Sequence, residues 1–432
     1  MTVCDLSPFY CDNGGGIRTF HRARIEWFKR HPQHRYVLIS PGPGFVTSTI
    51  AYNVSWIQVY GVPVGRGESR YRLMLDYPAV RATITQVRPD VLEVHDPWIS
   101  APLALRLRRR GVYQGLLTSF CHSDPVPTYV TPRLTRLIGG GRLAQRLTNR
   151  ADLAFRRLQA HFDIAFTASD SMLARLTAGG VPAAVKVTFG VEPALLAHRH
   201  SVPSPRWIRR ILYAGRLDDD KEFGLVLDVL PALLGRPDVR VTIMGTGAHR
   251  ARVLALSHPH LRYLGFVTNP DAVGRVYADN DVLLAPGRFE TFGLVALEAA
   301  ASGLVVVGPG EGGTGAILRQ LRSPLIFAAG NRQSFLERIE AAIDGNIGDL
   351  AARGRTAAAG FGTWHDAIGR QVAIYQARLD AHARSEAAGV PARRDARPRQ
   401  PARARGAIPG VGGDSTGDVP ARPKLSWRGG DR

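Results

Sequence analysis

Arg288-Phe-Glu-Thr-Phe-Gly-Leu-Val-Ala-Leu-Glu-Ala-Ala-Ala-Ser-Gly-Leu-Val-Val-Val307 is the stretch around which the rest of the chain can be read. Ahead of it, Asp281-Val-Leu-Leu-Ala285 is a short apolar run of the kind buried in a parallel sheet, and Pro286-Gly287 ends it. Leu294, Leu297, Glu298 and Ala301 recur at helical spacing. Phe292 and Gly293 are therefore expected at a helix N-terminus, where unpaired N–H groups and the helix dipole favour an anion. Glu290 and Glu298 stand on either side of that turn. Carboxylates repel phosphate, so beside an anion site their task is to accept hydrogen bonds from hydroxyls. A ligand with both phosphates and many hydroxyls is a nucleotide sugar. A surface helix carrying two solvated glutamates is the alternative these residues leave open.

With 432 residues the chain is long enough for two α/β domains. A formal charge of +20 at pH 7 draws it towards something anionic: phosphorylated substrates, a membrane surface or nucleic acid. Cys4, Cys11 and Cys121 are odd in number and lack metal-ligand spacing, which argues for a reducing, cytoplasmic setting. Met1 leads directly into a strand-like run. No signal peptide or bilayer-spanning segment is expected, and any membrane contact would be peripheral.

Thr2 to Leu6 reads as the first strand. The loop Ser7-Pro-Phe-Tyr-Cys-Asp-Asn-Gly-Gly-Gly-Ile-Arg18 and an amphipathic helix to about Arg30 follow it. Gly14, Gly15 and Gly16 would let backbone approach a phosphate or sugar, or would make a plain turn. A dinucleotide fingerprint is absent. Tyr36 to Ser40, Val54 to Val59 and Asp90 to Val94 continue a βαβ pattern, and active residues belong at strand C-terminal ends. His95-Asp96 follows one such end and His122-Ser-Asp124 another. From Thr131 to Arg157, Arg133, Arg136, Arg142, Arg146, Arg150, Arg156 and Arg157 interleave with leucines. The run suits an anionic lipid surface or a solvated helix with its apolar side in the core. Ile164 to Ser169 reads as the last strands of this half.

Ser201-Val-Pro-Ser-Pro205 is a hinge candidate. Ile211-Leu-Tyr-Ala-Gly-Arg-Leu-Asp-Asp-Asp-Lys221 then runs from strand to loop to the helix of Gly224 to Leu234. Arg216 and Lys221 flank the loop, a guanidinium fork and a point charge suited to a diphosphate. Val241-Thr-Ile-Met-Gly-Thr-Gly247 and Leu261-Arg-Tyr-Leu-Gly-Phe-Val267 repeat the strand-to-glycine pattern. Trp364 to about Ala383 reads as a final helix with Ile368, Val372, Tyr375 and Leu379 on one face. Residues 391 to 432 hold ten Arg or Lys against four Asp amid Pro, Gly and Ala, a composition that forms no core and is expected to be disordered.

The Glu290-to-Glu298 spacing within its Phe-Gly and Glu-Ala-Ala-Ala-Ser-Gly surroundings resembles the Glu-x7-Glu motif of family 4 retaining glycosyltransferases of the GT-B fold. Gly-Arg-Leu-x-x-x-Lys from Gly215 resembles that family's phosphate clamp. His122-Ser-Asp124 resembles its Phe-His-x-Asp element, with Cys121 interrupting the aromatic-His pair, and Phe189-Gly-Val-Glu192 resembles its domain-boundary element with both polar positions changed. Ala316 stands where relatives usually place a carboxylate. The resemblance covers residues 1 to about 384. It implies two doubly wound Rossmann-like α/β domains across a cleft: 1–200 on the acceptor side, 206–362 binding the nucleotide sugar, 363–384 crossing back to the first domain, and 385–432 as a basic tail.

By the same resemblance, Arg216 and Lys221 hold the donor's diphosphate, Glu290 orients the sugar and Glu298 binds the ribose hydroxyls. His122 hydrogen-bonds the transferred sugar, and the loop ending at Val267 passes the nucleobase. Gly15, Gly16, Phe292 and Gly293 line the donor, while His95 and Asp96 lie near the acceptor cleft. The implied reaction moves a hexose, as mannosyl- or glucosyltransferases do, from a nucleoside diphosphate to a hydroxyl of a glycan or lipid-linked acceptor. Configuration is retained, with no cofactor and no metal. A non-hydrolysing nucleotide-sugar epimerase shares the architecture and is the rival enzyme. A nucleic-acid binder would explain the charge, but no recognised motif accompanies it, and nucleic acid is not expected as a partner.

Overall fold

The computed structural model describes residues 1–11, 15–64, 72–197 and 208–387. Gly14, the hinge candidate at 201–205 and the tail from 391 lie outside the described residues. The first sheet contains β1 (Thr2–Leu6), β2 (Arg35–Gly42), β3 (Val46–Ala51), β4 (Val54–Pro63), β5 (Arg72–Met74), β6 (Val91–Val94), β7 (Leu116–Cys121), β8 (Ile164–Thr167) and β9 (Ala184–Lys186). Their order is β3-β4-β2-β1-β6-β7-β8-β9, with β5 on β4. The second sheet, ordered β12-β11-β10-β13-β14-β15, contains β10 (Arg209–Ala214), β11 (Val239–Met244), β12 (Leu261–Gly265), β13 (Val282–Leu284), β14 (Val305–Pro309) and β15 (Ile326–Phe327). Strand order reverses between β1 and β6 and again between β10 and β13. Open parallel sheets bind ligands at such switch points, outside the strand C-terminal ends.

Central strands β6, β7, β8 and β13 are buried along their whole length, as parallel strands covered on both faces must be. A purely parallel reading misses β3 and β5, which pair antiparallel with β4. Val46-Thr-Ser-Thr-Ile-Ala51 carries three hydroxyl side chains and is largely exposed, which suits a sheet edge. The last strand of this half is β9, three half-buried residues beyond the Ile164 to Ser169 run. The basic stretch is two helices, Thr131–Ile138 and Arg142–Gln159, parted by Gly139-Gly140-Gly141; Gly139 and Gly141 adopt positive φ.

Two passages connect the halves at one point. Val191 pairs with Thr363, accepting from Trp364 N and donating to Gly362 O. Gly190 is needed there because any Cβ would overlap the Thr363 carbonyl. The helix Trp364–Ala387 then lies against the first-half helix Gly16–Lys29. Between them Arg24 is fully buried, its guanidinium 3.1 Å from Asp5 Oδ2 and 2.8 Å from Glu93 Oε1. Gln371 Oε1 accepts from Arg24 at 3.0 Å, and the Tyr375 hydroxyl donates to Glu93 at 2.6 Å. Burial alone would lower the Arg24 pKa, but Asp5, Tyr375 and Glu93 hold it well above the usual value.

Removing one member of a buried ionic cluster leaves the others charged and unpaired. Arg24→Met is therefore expected to lower unfolding free energy by about 3–5 kcal/mol. Arg157→Met, at an exposed position, should change it by less than about 0.5 kcal/mol. Urea unfolding monitored by circular dichroism checks both, and equal midpoints would contradict the role given to Arg24.

Candidate active site

The second sheet presents its glycine-bearing loops at the β10/β13 switch point. Gly245 follows β11 at φ +139°, and a side chain there would collide with the Gly215 carbonyl, so the two loops pack backbone to backbone. Beyond Gly215 the chain is pinned: Tyr213 donates to the Arg216 carbonyl at 2.6 Å, and Asp218 accepts from Ala248 N at 2.7 Å. Arg216 is held by Asp218 at 2.6 Å and by Asp220 through its second terminal nitrogen. Lys221 Nζ lies 2.5 Å from Glu290 Oε1. Glu222, at φ +51°, takes the Arg288 backbone N–H at 2.8 Å and its Nε–H at 2.7 Å, tying the two cleft loops together.

Gly293 caps the helix Leu294–Ser302 at φ +82°; a Cβ there would press on Thr314 N. Phe292 is buried and meets Phe189 of the first half with ring centroids 5.0 Å apart. Glu298 lies one turn in, its Oε2 accepting from Tyr277 at 3.2 Å. Burial raises the Glu298 carboxyl to about 7; the Tyr277 bond opposes this and the Glu192 charge adds to it. Val267 is half-buried against the core. Arg216, Lys221, Glu290, Phe292, Gly293 and Glu298 thus share the loops after β10 and β13 and the helix they lead into.

Across from them, Gly15 caps the helix Gly16–Lys29, and a Cβ at Gly15 or Gly16 would meet nothing within 4 Å. A helix start with open space in front of it can take an anion. Asp124 N donates to Thr291 Oγ1 at 3.2 Å, joining the first half to the Glu290 loop. Strand alternation explains how His122 keeps an aromatic neighbour despite Cys121: residues two apart share a face, and the Phe120 ring stacks on His122 at 4.6 Å. Cys121 points the other way, among Val126 and Phe155, where burial pushes its thiol up to about 12.

His95 and Asp96, expected near the acceptor cleft, are both buried. Asp96 Oδ1 accepts from Trp98 N at 2.8 Å and Ile99 N at 2.6 Å, and Oδ2 from Ser100 N at 2.9 Å, so its carboxylate starts the helix Ser100–Arg109. His95 lies between His122 and Asp5. Sequence reasoning missed Asp5, His21, Arg24 and Glu93, although a carboxylate within each of the apolar runs Thr2–Leu6 and Val91–Val94 signals a buried partner. Asp5, His21 and His95 bring donor atoms within 4.8 Å of one another, a grouping that could hold a metal. Arg24, 3.1 Å from the same carboxylate, already supplies the opposing charge.

The family model for group 1 glycosyl transferases matches residues 208–344, and that for the glycosyl transferase 4-like domain matches residues 15–191. The chain is 31% identical over 320 residues to a GDP-mannose-dependent alpha-(1-6)-phosphatidylinositol dimannoside mannosyltransferase of Mycobacterium tuberculosis, covering 71% of this chain and 79% of that one. It is 27% identical to a phosphatidyl-myo-inositol mannosyltransferase of Mycolicibacterium smegmatis, covering 71% of this chain and 75% of the relative. Among solved structures, a sucrose-phosphate synthase from Thermosynechococcus elongatus superposes with a TM-score of 0.71 at 16% identity, over 88% of this chain and 99% of that one. Two doubly wound sheets, matched family models on both halves and a relative of this identity place the chain in the group 1, family 4 glycosyltransferases of the GT-B fold.

Proposed function

We propose that the enzyme transfers a hexose, with GDP-mannose as the donor to try first, to a hydroxyl of a phosphoinositide-based or other lipid-linked glycan, retaining the α configuration and using no metal. The observation that carries this is the Lys221–Glu290 contact, which ties the loop bearing Arg216 and Lys221 to the loop that leads into the helix capped by Gly293, with Glu298 one turn inside it. The relatives' use of GDP-mannose and of phosphatidylinositol acceptors supports the choice of donor and acceptor.

Arg216 and Lys221 take the diphosphate, Glu290 the sugar hydroxyls and Glu298 the ribose. Gly15 and Gly16 leave room for the phosphates, and the segment ending at Val267 borders the base. The departing diphosphate accepts the acceptor's proton on the same face. The two cations and the backbone N–H groups absorb the charge that develops there. Incubation with GDP-mannose, with and without phosphatidylinositol mannosides, tests this directly. An α-linked product formed in chelator is expected. A β-linked product would overturn retention, and sugar turnover from donor alone would favour the epimerase.

No helix among the described residues is long and apolar enough to cross a membrane. The helix Thr131–Ile138 buries no residue, and Leu137, Ile138 and Leu143 are exposed beside Arg133, Arg136, Arg142 and Arg146. That leaves its apolar side outside the core, and the reading that follows is peripheral attachment to an anionic, cytoplasm-facing membrane surface.

Arg216→Ala and Lys221→Ala should each cut turnover by roughly a hundredfold with folding intact, as loss of one oxyanion donor does; near-normal turnover in both would remove the clamp assignment. The pH dependence follows from Glu298. Its raised pKa means that the acid form prevails below about 7, and only the ionised form accepts from both ribose hydroxyls. Donor KM should therefore rise as pH falls through 7, towards about tenfold per unit, and Glu298→Gln should flatten that profile. In vesicle sedimentation, a chain lacking residues 391–432 should bind anionic vesicles at low salt. Each Arg contributes about 1 kcal/mol, and Arg142, Arg146 and Arg150 changed together to Glu should abolish the binding. Binding unaffected by that change would show an ordinary solvated helix.

A further inference from the structure

β6 and β7 run parallel with Val94 beside Ser119, so His95 and His122 leave adjacent strands together. Their rings meet edge to edge, His95 Nδ1 standing 2.8 Å from His122 Nε2. On its far side His95 Nε2 is 3.3 Å from Asp5 Oδ2, which projects from β1, the strand paired with β6. Asp5 and His95 are buried, whereas His122 is half-buried, with Phe120 stacked on its ring and Phe20 edge-on at 4.9 Å. Nδ1 of His122 is the ring nitrogen that remains for a ligand.

We propose that Asp5 and His95 are positioning residues that hold the His122 imidazole in its Nε2–H tautomer, so that the Nδ1 lone pair, and not an N–H, meets the transferred sugar. This rests on the reading of His122 as the sugar-facing residue. The argument starts at Asp5. Burial alone would raise its pKa, but the Arg24 guanidinium holds it well below the usual carboxylate range, and an ionised carboxylate only accepts. At 3.3 Å that charge, more than alignment, sets where the His95 proton sits, namely on Nε2. In a neutral imidazole the other nitrogen is then bare, and a bare Nδ1 at 2.8 Å draws the His122 proton to Nε2.

The His122 ring is itself neutral, because burial lowers its pKa well below the usual value. The other charged or titratable groups facing the pair are His21, its ring 4.5 Å from that of His95, Arg24 and Glu93, the last 3.7 Å from His95 Nε2. A lone pair aimed at a sugar carbon that gains positive charge stabilises it, whereas an N–H would oppose it.

Long-range proton–nitrogen NMR of histidine-labelled, donor-free protein reads the tautomer without any assay of transfer. The wild type should show Nε2–H with a bare Nδ1. Asp5→Asn removes the charge that holds the His95 proton on Nε2, so the His122 proton should spread from Nε2 towards Nδ1. Because Asp5 also neutralises Arg24, that variant risks misfolding, so two His95 variants accompany it. His95→Asn, whose amide oxygen can stand where Nδ1 stood and accept, should keep the wild-type tautomer. His95→Leu should give a mixture and lower kcat about tenfold or more, with donor KM changed less than about twofold. A wild-type His122 carrying its proton on Nδ1, an unchanged His122 signal in His95→Leu, or undiminished kcat in that variant would overturn the proposal. A protein with the expected spectra that moves no sugar from any donor would count against the proposed activity and leave the tautomer assignment standing.

Discussion

Arg24 is a charge with no route to water, and the first half of the molecule is arranged to accommodate it. Its partners come from β1, from β6 and from the returning helix Trp364–Ala387, three segments far apart in sequence. A buried guanidinium costs several kcal/mol to desolvate, which the carboxylates offset only when the geometry also satisfies their remaining lone pairs. Glu93 meets that condition, accepting from Arg24, Thr118, Gln371 and Tyr375. Such a cluster adds little net stability over an apolar core. What it does supply is discrimination: the returning helix docks in the one register that brings Gln371 and Tyr375 to Glu93.

That register matters for the cleft because the same carboxylates stand beneath it. Asp5 touches Arg24 on one side and His95 on the other, and His95 touches His122. Asp5 therefore links the Arg24 cluster under the returning helix to the histidine pair proposed to serve the site. On the opposite wall the constraint is steric. Gly245 and Gly293 allow backbone to approach backbone at the ends of β11 and at the start of Leu294–Ser302, which keeps N–H groups at the surface where phosphate would sit.

Most of the parallel framework was legible because its signal is local. An apolar run such as Val282–Leu284 followed by Pro286-Gly287 and a helical repeat has few alternatives. The short half-exposed strands β3, β5 and β9 were not legible, since three to six residues without apolar periodicity read as loop. For the candidate site, residue types and loop positions could be read, whereas pairings could not. Arg24 and Gln371 are 347 positions apart, and nothing in either neighbourhood names the other. His95 and Asp96 show the limit most plainly. Adjacent at a strand end, they invite one role, yet one caps a helix and the other sits beneath His122.

On the roles proposed for Arg216 and Lys221, their ion pairs bear on how a donor would enter. Arg216 is engaged by Asp218 and Asp220, and Lys221 by Glu290. These pairs are about a third exposed or less, so water screens them only in part, and leaving either cation without counter-charge would be unfavourable. Asp218 is anchored by Ala248 N and cannot swing far. Asp220 has no such second tie among the described hydrogen bonds, and Glu290 rides on the loop before Gly293. An arriving diphosphate would therefore exchange with Asp220 and Glu290 in particular, trading carboxylate contacts for phosphate ones at each cation. Glu290, released from Lys221, becomes an unpaired acceptor at the moment a sugar's hydroxyls arrive beside it. On the proposed assignment, phosphate capture and sugar orientation would be coupled through the Lys221–Glu290 contact, and a ligand bringing only one of the two groups would leave the other half of the exchange unfavourable.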